Sequence, residues 1–145
     1  MLVFPKTRKT GIAMAIALIM GVLICNVTLK PLIRRPRPYD YQLEHFGVTI
    51  KLLIDAQHDY SFPSGHTIAS FEAAVALLLN DKRMGIPAMV IAVLVTFSRL
   101  YLYVHYPTDV IFSIIVGTAF AFIGNALAGK IADRLPAPAK GKYES

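Results

Sequence analysis

The sequence predicts an all-α fold, an integral-membrane helical bundle of four transmembrane helices, and three observations carry that prediction. Two blocks, Gly11 to Leu29 and Val110 to Ala128, hold no charged residue, and a third, Ile86 to Val104, holds only Arg99. Each is close to the ~20 residues that take a helix across a bilayer. With 55% hydrophobic residues in a chain of 145 and a mean hydropathy of +0.53, too little polar sequence remains to cover three such blocks in water.

Taken in order, the first block follows a basic start (Lys6, Arg8, Lys9) that would also suit a cleaved signal peptide. Its end reads "LICNVTLK", with no small-x-small cleavage site, so a retained span is expected. Residues 30–65 form the one long polar connection. It opens with the turn-rich "RRPRPYDY" and continues through "HFGVTIKLLID", whose periodicity fits a short interfacial helix or a strand. Thr67 to Leu79 is the second span, short for a hydrocarbon core of ~30 Å, and therefore extended at one end or starting below the surface. Pro107 disfavours helical geometry at Tyr106 and suits the first turn of a new helix, so the third span should end near His105 and the fourth begin at Pro107. A Pro-rich polar tail, 131–145, should be loose. The whole reads as a single domain.

Small residues recur every four positions: Ala13, Ala17 and Gly21, then Gly117 and Ala121, then Gly124 and Ala128. Such stripes let helices approach closely in lipid. Cys25 stands alone, which excludes an internal disulfide, and no zinc-type spacing occurs.

The net charge of +6 is unevenly placed. Basic residues precede the first span, separate the second and third (Lys82, Arg83) and follow the fourth (Lys130, Arg134, Lys140, Lys142). The positive-inside rule then puts both termini in the cytoplasm and the 30–65 connection outside, in a plasma or inner membrane. Lys30, Arg34, Arg35, Arg37 and Lys51 oppose that rule. Nucleic acid explains them poorly on an outer face; a bound anion explains them better.

Three clusters share that outer side. Lys30, Arg34, Arg35 and Arg37 offer point charges and guanidinium forks to phosphate oxygens, or a basic anchor to anionic lipids. In "FPSGHT", Pro63 and Gly65 make a tight start to a helix with Ser64 as its cap, and the exposed first-turn amides form an anion site beside His66. Arg99 is either a snorkelling anchor or a functional cation. The break before Pro107 lets it converge with His105, and Asp109, four residues on, is placed to orient the imidazole or to favour the helix N-terminus. Together they equip an attack on phosphorus: cations and amides hold oxygens, one His attacks, and the other protonates the leaving oxygen. Glu72, two turns into the second helix, is read as structural.

Lys30 to Pro38, Pro63 to His66 and Ser98 to Asp109 match in order Lys-x6-Arg-Pro, Pro-Ser-Gly-His and Ser-Arg-x5-His-x3-Asp. On these motifs the chain resembles the type 2 phosphatidic acid phosphatase and vanadium haloperoxidase superfamily. The resemblance implies a lipid phosphatase acting on undecaprenyl diphosphate, phosphatidylglycerophosphate or phosphatidate. His105 would form a phosphohistidine, Asp109 would orient it and His66 would be the general acid. Lys30, Arg37, Ser64, Gly65 and Arg99 would bind phosphate, with no metal or other cofactor. Membrane members usually have six helices, so the first two are expected to be missing, the chain being a fragment, one with a misassigned start, or a minimal form completed by a partner; a homo-oligomer is a separate expectation. A non-catalytic binder of anionic lipid, an incomplete fragment, and a vanadate-dependent peroxidase are the competing readings.

Overall fold

The computed structural model describes residues 5–132, and every regular element among them is helical. The first helix comprises α1 (Pro5–Met20), a π-helical segment (Gly21–Leu29) and a final turn, α2 (Lys30–Ile33). Then come α3 (Pro38–Phe46), α4 (Gly65–Asn80), α5 (Lys82–Tyr101) and α6 (Pro107–Ala132). The expected tail at 131–145 lies, beyond Ala132, outside the described residues.

The π-helical segment decides where the first helix delivers its last side chains. Thr10, Ala13, Ala17, Gly21 and Cys25 form its buried stripe, at the intervals of three and four that an α-helix allows. The next buried residue is Lys30, five further on. A π turn supplies that interval, because its bonds run over five residues rather than four. Lys30 N–H bonds to Cys25 O, and the Thr28 hydroxyl donates to Leu23 O at 2.8 Å. An uninterrupted α-helix would have turned Lys30 off the stripe.

α4 is the centre of the bundle, packed against α1, α5 and α6. Its 16 residues reach about 24 Å, short of a ~30 Å hydrocarbon core. Three segments are long and apolar enough to cross a membrane: the first helix, Lys82–Tyr101 and Pro107–Ala132. Of the four spans expected, α4 falls below that length.

The core is built largely of alanine, with Ala13, Ala74, Ala76, Ala92, Ala121 and Ala128 in one cluster around Phe71 and Val75. Where α1 crosses α6, a Cβ on Gly124 would stand 2.5 Å from Ala13 O. On Gly117 it would stand 2.9 Å from Ile68 O. The small-residue stripes are thus the lines along which backbones touch. Outward, Ile86, Val90, Ile91, Leu94 and Phe97 of α5 and Ile111, Ile115 and Phe122 of α6 are exposed. Such a surface suits lipid.

Two boundaries depart from the sequence reading. α5 ends at Tyr101 rather than near His105: Leu102 N–H returns to Ser98 O and Tyr103 N–H to Leu100 O. Tyr103 has φ 58, so Val104 and His105 lie in a turn. In the 30–65 connection the helix comes early. Pro38 starts α3 within the stretch read as turns, and Gly47, at φ 64, closes it with the left-handed geometry glycine tolerates. Residues 47–64 form neither helix nor strand.

Candidate active site

The end of the first helix, the starts of α4 and α6 and the end of α5 meet at one end of the bundle. A cavity of about 540 Å³ opens there, walled by Asn26 and Lys30 of the first helix, Arg37, Gln57 and Asp59 of the connection, Gly65 and His66 of α4, Arg99 of α5 and His105 of the turn before α6. Both imidazoles therefore face one space. His66 is exposed into it, whereas His105 is buried.

Arg37 is buried and holds the loops together. Its Nη1 donates to Val104 O at 2.8 Å, just before His105, and its Nε donates to Asp59 O at 2.8 Å. Nη2 donates to the Asp59 carboxylate, whose other oxygen accepts from Lys30 Nζ at 2.5 Å. Partial burial raises the pKa of Asp59, but hydrogen bonds and charge from Lys30 and Arg37 outweigh that and hold it at about 2. The sign follows from a depressed acid: the pair contributes stability above the ordinary carboxylate range and loses it as pH falls towards 2. Arg99 hydrogen-bonds to the hydroxyl of its neighbour, Ser98, at 3.1 Å.

Asp109 is fully buried at the start of α6, among donors. One oxygen accepts from Arg35 Nη1 at 2.5 Å; the other accepts from the Ser61 hydroxyl and from Tyr106 N–H at 3.0 Å. His105 Nδ1 lies 3.7 Å from that second oxygen and has no hydrogen-bond partner. The spacing argument placed these two side chains next to each other, and they are. The distance nonetheless exceeds a hydrogen bond, because other donors already hold the carboxylate.

Ser64 stands apart from the other expected phosphate ligands. It occupies the N-cap position of α4, but its hydroxyl meets Thr67 Oγ1 at 3.0 Å and makes no backbone cap. Its N–H donates to Ser113 Oγ at 2.9 Å, and the residue is fully buried. Ser64 fixes the start of α4, and Gly65 is the residue that reaches the cavity wall.

Sequence reasoning passed over Asp59 and read Arg35 as a contact for phosphate or anionic lipid, whereas its guanidinium pairs with Asp109. The excess of cations on this side was ascribed to a bound anion, yet the chain answers part of it itself: Asp59 pairs with Lys30 and Arg37, and Asp109 with Arg35. A guanidinium two residues before the motif arginine gave no signal, since only folding brings it over the Tyr106 ring, 4.0 Å from its centroid. Among the described residues no group of three or more His, Cys, Asp or Glu is placed to hold a metal ion.

Comparisons with known proteins identify the family and the fold. The sequence model of the PAP2 superfamily matches residues 10–131. An undecaprenyl-diphosphatase of Sulfolobus acidocaldarius is 36% identical over 124 residues, covering 85% of this chain and 57% of its own length. Phosphatidylglycerophosphatase B of Bacillus subtilis is 33% identical, with 86% and 62% covered. The crystal structure of a transmembrane PAP2-type phosphatidylglycerolphosphate phosphatase from B. subtilis superposes with a TM-score of 0.64 at 32% identity, over 83% of this chain and 60% of that one. The chain spans about three fifths of the length of each of these relatives.

Proposed function

Because this chain belongs to the PAP2 superfamily, we propose that it is a membrane phosphatase that removes phosphate from a lipid phosphate or diphosphate, without a metal, through a phosphohistidine at His105. Undecaprenyl diphosphate, phosphatidylglycerophosphate and phosphatidate are the candidate substrates. The observation that carries the reading is the single cavity walled by two histidines, Lys30, Arg37 and Arg99.

In this mechanism the His105 nitrogen remote from Asp109 attacks phosphorus, and the P–O bond to the leaving group breaks. His66 gives its proton to the departing oxygen, then takes one from the water that cleaves the phosphohistidine. Lys30, Arg37, Arg99 and the Gly65 amide hold the phosphoryl oxygens as charge builds on them. Asp109 closes its 3.7 Å gap as the imidazole becomes cationic. Apolar helix faces beside the cavity leave the lipid tail in the bilayer while its headgroup reacts. Basic residues in the 82–83 turn and after α6 support an extracytoplasmic site with cytoplasmic termini.

The test is phosphate release from lipid phosphates and diphosphates in detergent with EDTA present. His105→Ala should lower turnover at least about a thousandfold. Turnover that survives this change would end the phosphohistidine assignment. Lipid binding without turnover in the unaltered chain would favour the anionic-lipid binder.

A further inference from the structure

Asp59 is the one acid among the residues that line the cavity, and it is bonded to two of the cavity's three cations. The pairing is lopsided. The Lys30 and Arg37 side chains are 11% and 3% exposed, whereas that of Asp59 is 52% exposed and sits on the irregular stretch 47–64. The cations are buried, whereas the acid's carboxylate stands on the open side, so it is the partner that can be turned aside without opening the core. A phosphoryl group needs the same N–H donors that the carboxylate holds, and a carboxylate and a phosphate oxygen bind such donors in the same way.

We propose that Asp59 is a built-in competitor for the phosphoryl group, a carboxylate that holds Lys30 and Arg37 and must be displaced by the substrate's phosphate. This rests on the phosphatase reading and adds a specificity device to it. At neutral pH the acid is fully ionised, since its pKa lies at about 2, so the competition operates whenever the enzyme does. An anion with one charge gains little by exchanging with a carboxylate. A phosphate monoester or diphosphate, with two or more, gains from Arg99 and the histidines as well. Asp59 would therefore bias the site against phosphodiester headgroups, which carry a single charge and abound in a membrane.

The alternative role is a strut that holds the two cations in position, and the two roles predict opposite signs. Inorganic phosphate binding is measured by calorimetry on the full chain in detergent, alongside Asp59→Asn and Asp59→Ser. A competitor predicts at least about tenfold tighter phosphate binding in both variants, and a gain that disappears when Lys30→Met is added. Equal or weaker binding, no binding by any variant, or failure of both variants to fold would each overturn the proposal in favour of the strut. The readout needs no turnover, so the two readings fail separately. A gain in affinity with no hydrolysis of any lipid phosphate leaves the competitor and removes the phosphatase; hydrolysis through His105 without the gain does the reverse.

Discussion

Asp109 and Glu72 are carboxyl groups buried almost completely in the same bundle, 0% and 1% exposed, and their surroundings could hardly differ more. Asp109 accepts from a guanidinium, a hydroxyl and a backbone amide, beside an imidazole. Glu72 packs against Gly21 in the π-helical segment, and its Oε1 has no hydrogen-bond partner. Burying a charge is costly unless it is paired and hydrogen-bonded. The Asp109 region meets that condition with residues from three separate parts of the chain; the Glu72 region does not attempt it. A buried acid by itself therefore says little about chemistry, and the donors assembled around it say more.

The sharpest test of this contrast is removal of each charge with shape kept. On the proposed mechanism, Asp109→Asn should cost about 10²–10⁴-fold in kcat, because the carboxylate assigned to orienting His105 and stabilising its cation is lost. Next in size is Arg35, which shares Asp109 with His105 and stacks on Tyr106. Arg35→Gln should lower kcat roughly tenfold while KM for the lipid changes little, since the guanidinium acts through Asp109 rather than on phosphate. Arg35→Lys should recover part of that loss. A rise in KM with kcat unchanged would instead make Arg35 a substrate contact.

The sequence showed the parts of the site that recur as motifs and missed those that hold them. Lys30, Arg37, His66, Arg99 and His105 stand at fixed spacings near helix ends, and those helices are legible as apolar blocks. Arg35 and Asp59 were not legible, because their partners lie 74 and 29 residues away and no periodicity links residues across irregular backbone. The π-helical segment was invisible for a related reason: "GVLICNVTL" is equally apolar in either winding, and only the burial of Lys30 shows the extra residue per turn. Pro107 correctly marked the start of α6. The end of α5 was placed too late because nothing in "LYVH" forbids helix. Tyr103 is left-handed and Val104 N–H returns to Arg99 O at 3.3 Å, a local helix-end cap that usually takes glycine, so the tyrosine gave no sign of it.

Packing around Glu72 offers a smaller effect. A Cβ on Gly21 would fall 2.4 Å from Glu72 Oε1, so Gly21→Ala should lower the thermal midpoint in detergent by the equivalent of about 1–3 kcal/mol. Most of that loss should vanish in a Glu72→Ala background, where the clashing oxygen is gone. Gly124→Ala meets the Ala13 carbonyl instead and should be equally harmful in either background, since no side-chain change moves a backbone.

The smallest effect is expected from Glu72→Gln, and it separates the two acids most cleanly. The amide keeps the volume that fills the space beside Gly21, while the group can no longer ionise and one oxygen becomes an NH2. Because Oε1 has no partner to lose, phosphate release should stay within about twofold of the unaltered chain and the thermal midpoint should hold or rise. A loss comparable to that of Asp109→Asn would mean that the carboxyl at position 72 takes part in proton transfer behind Ala69, one helical turn from the cavity wall. The contrast between a wired acid and an idle one would then fail, and Glu72 would join the catalytic set.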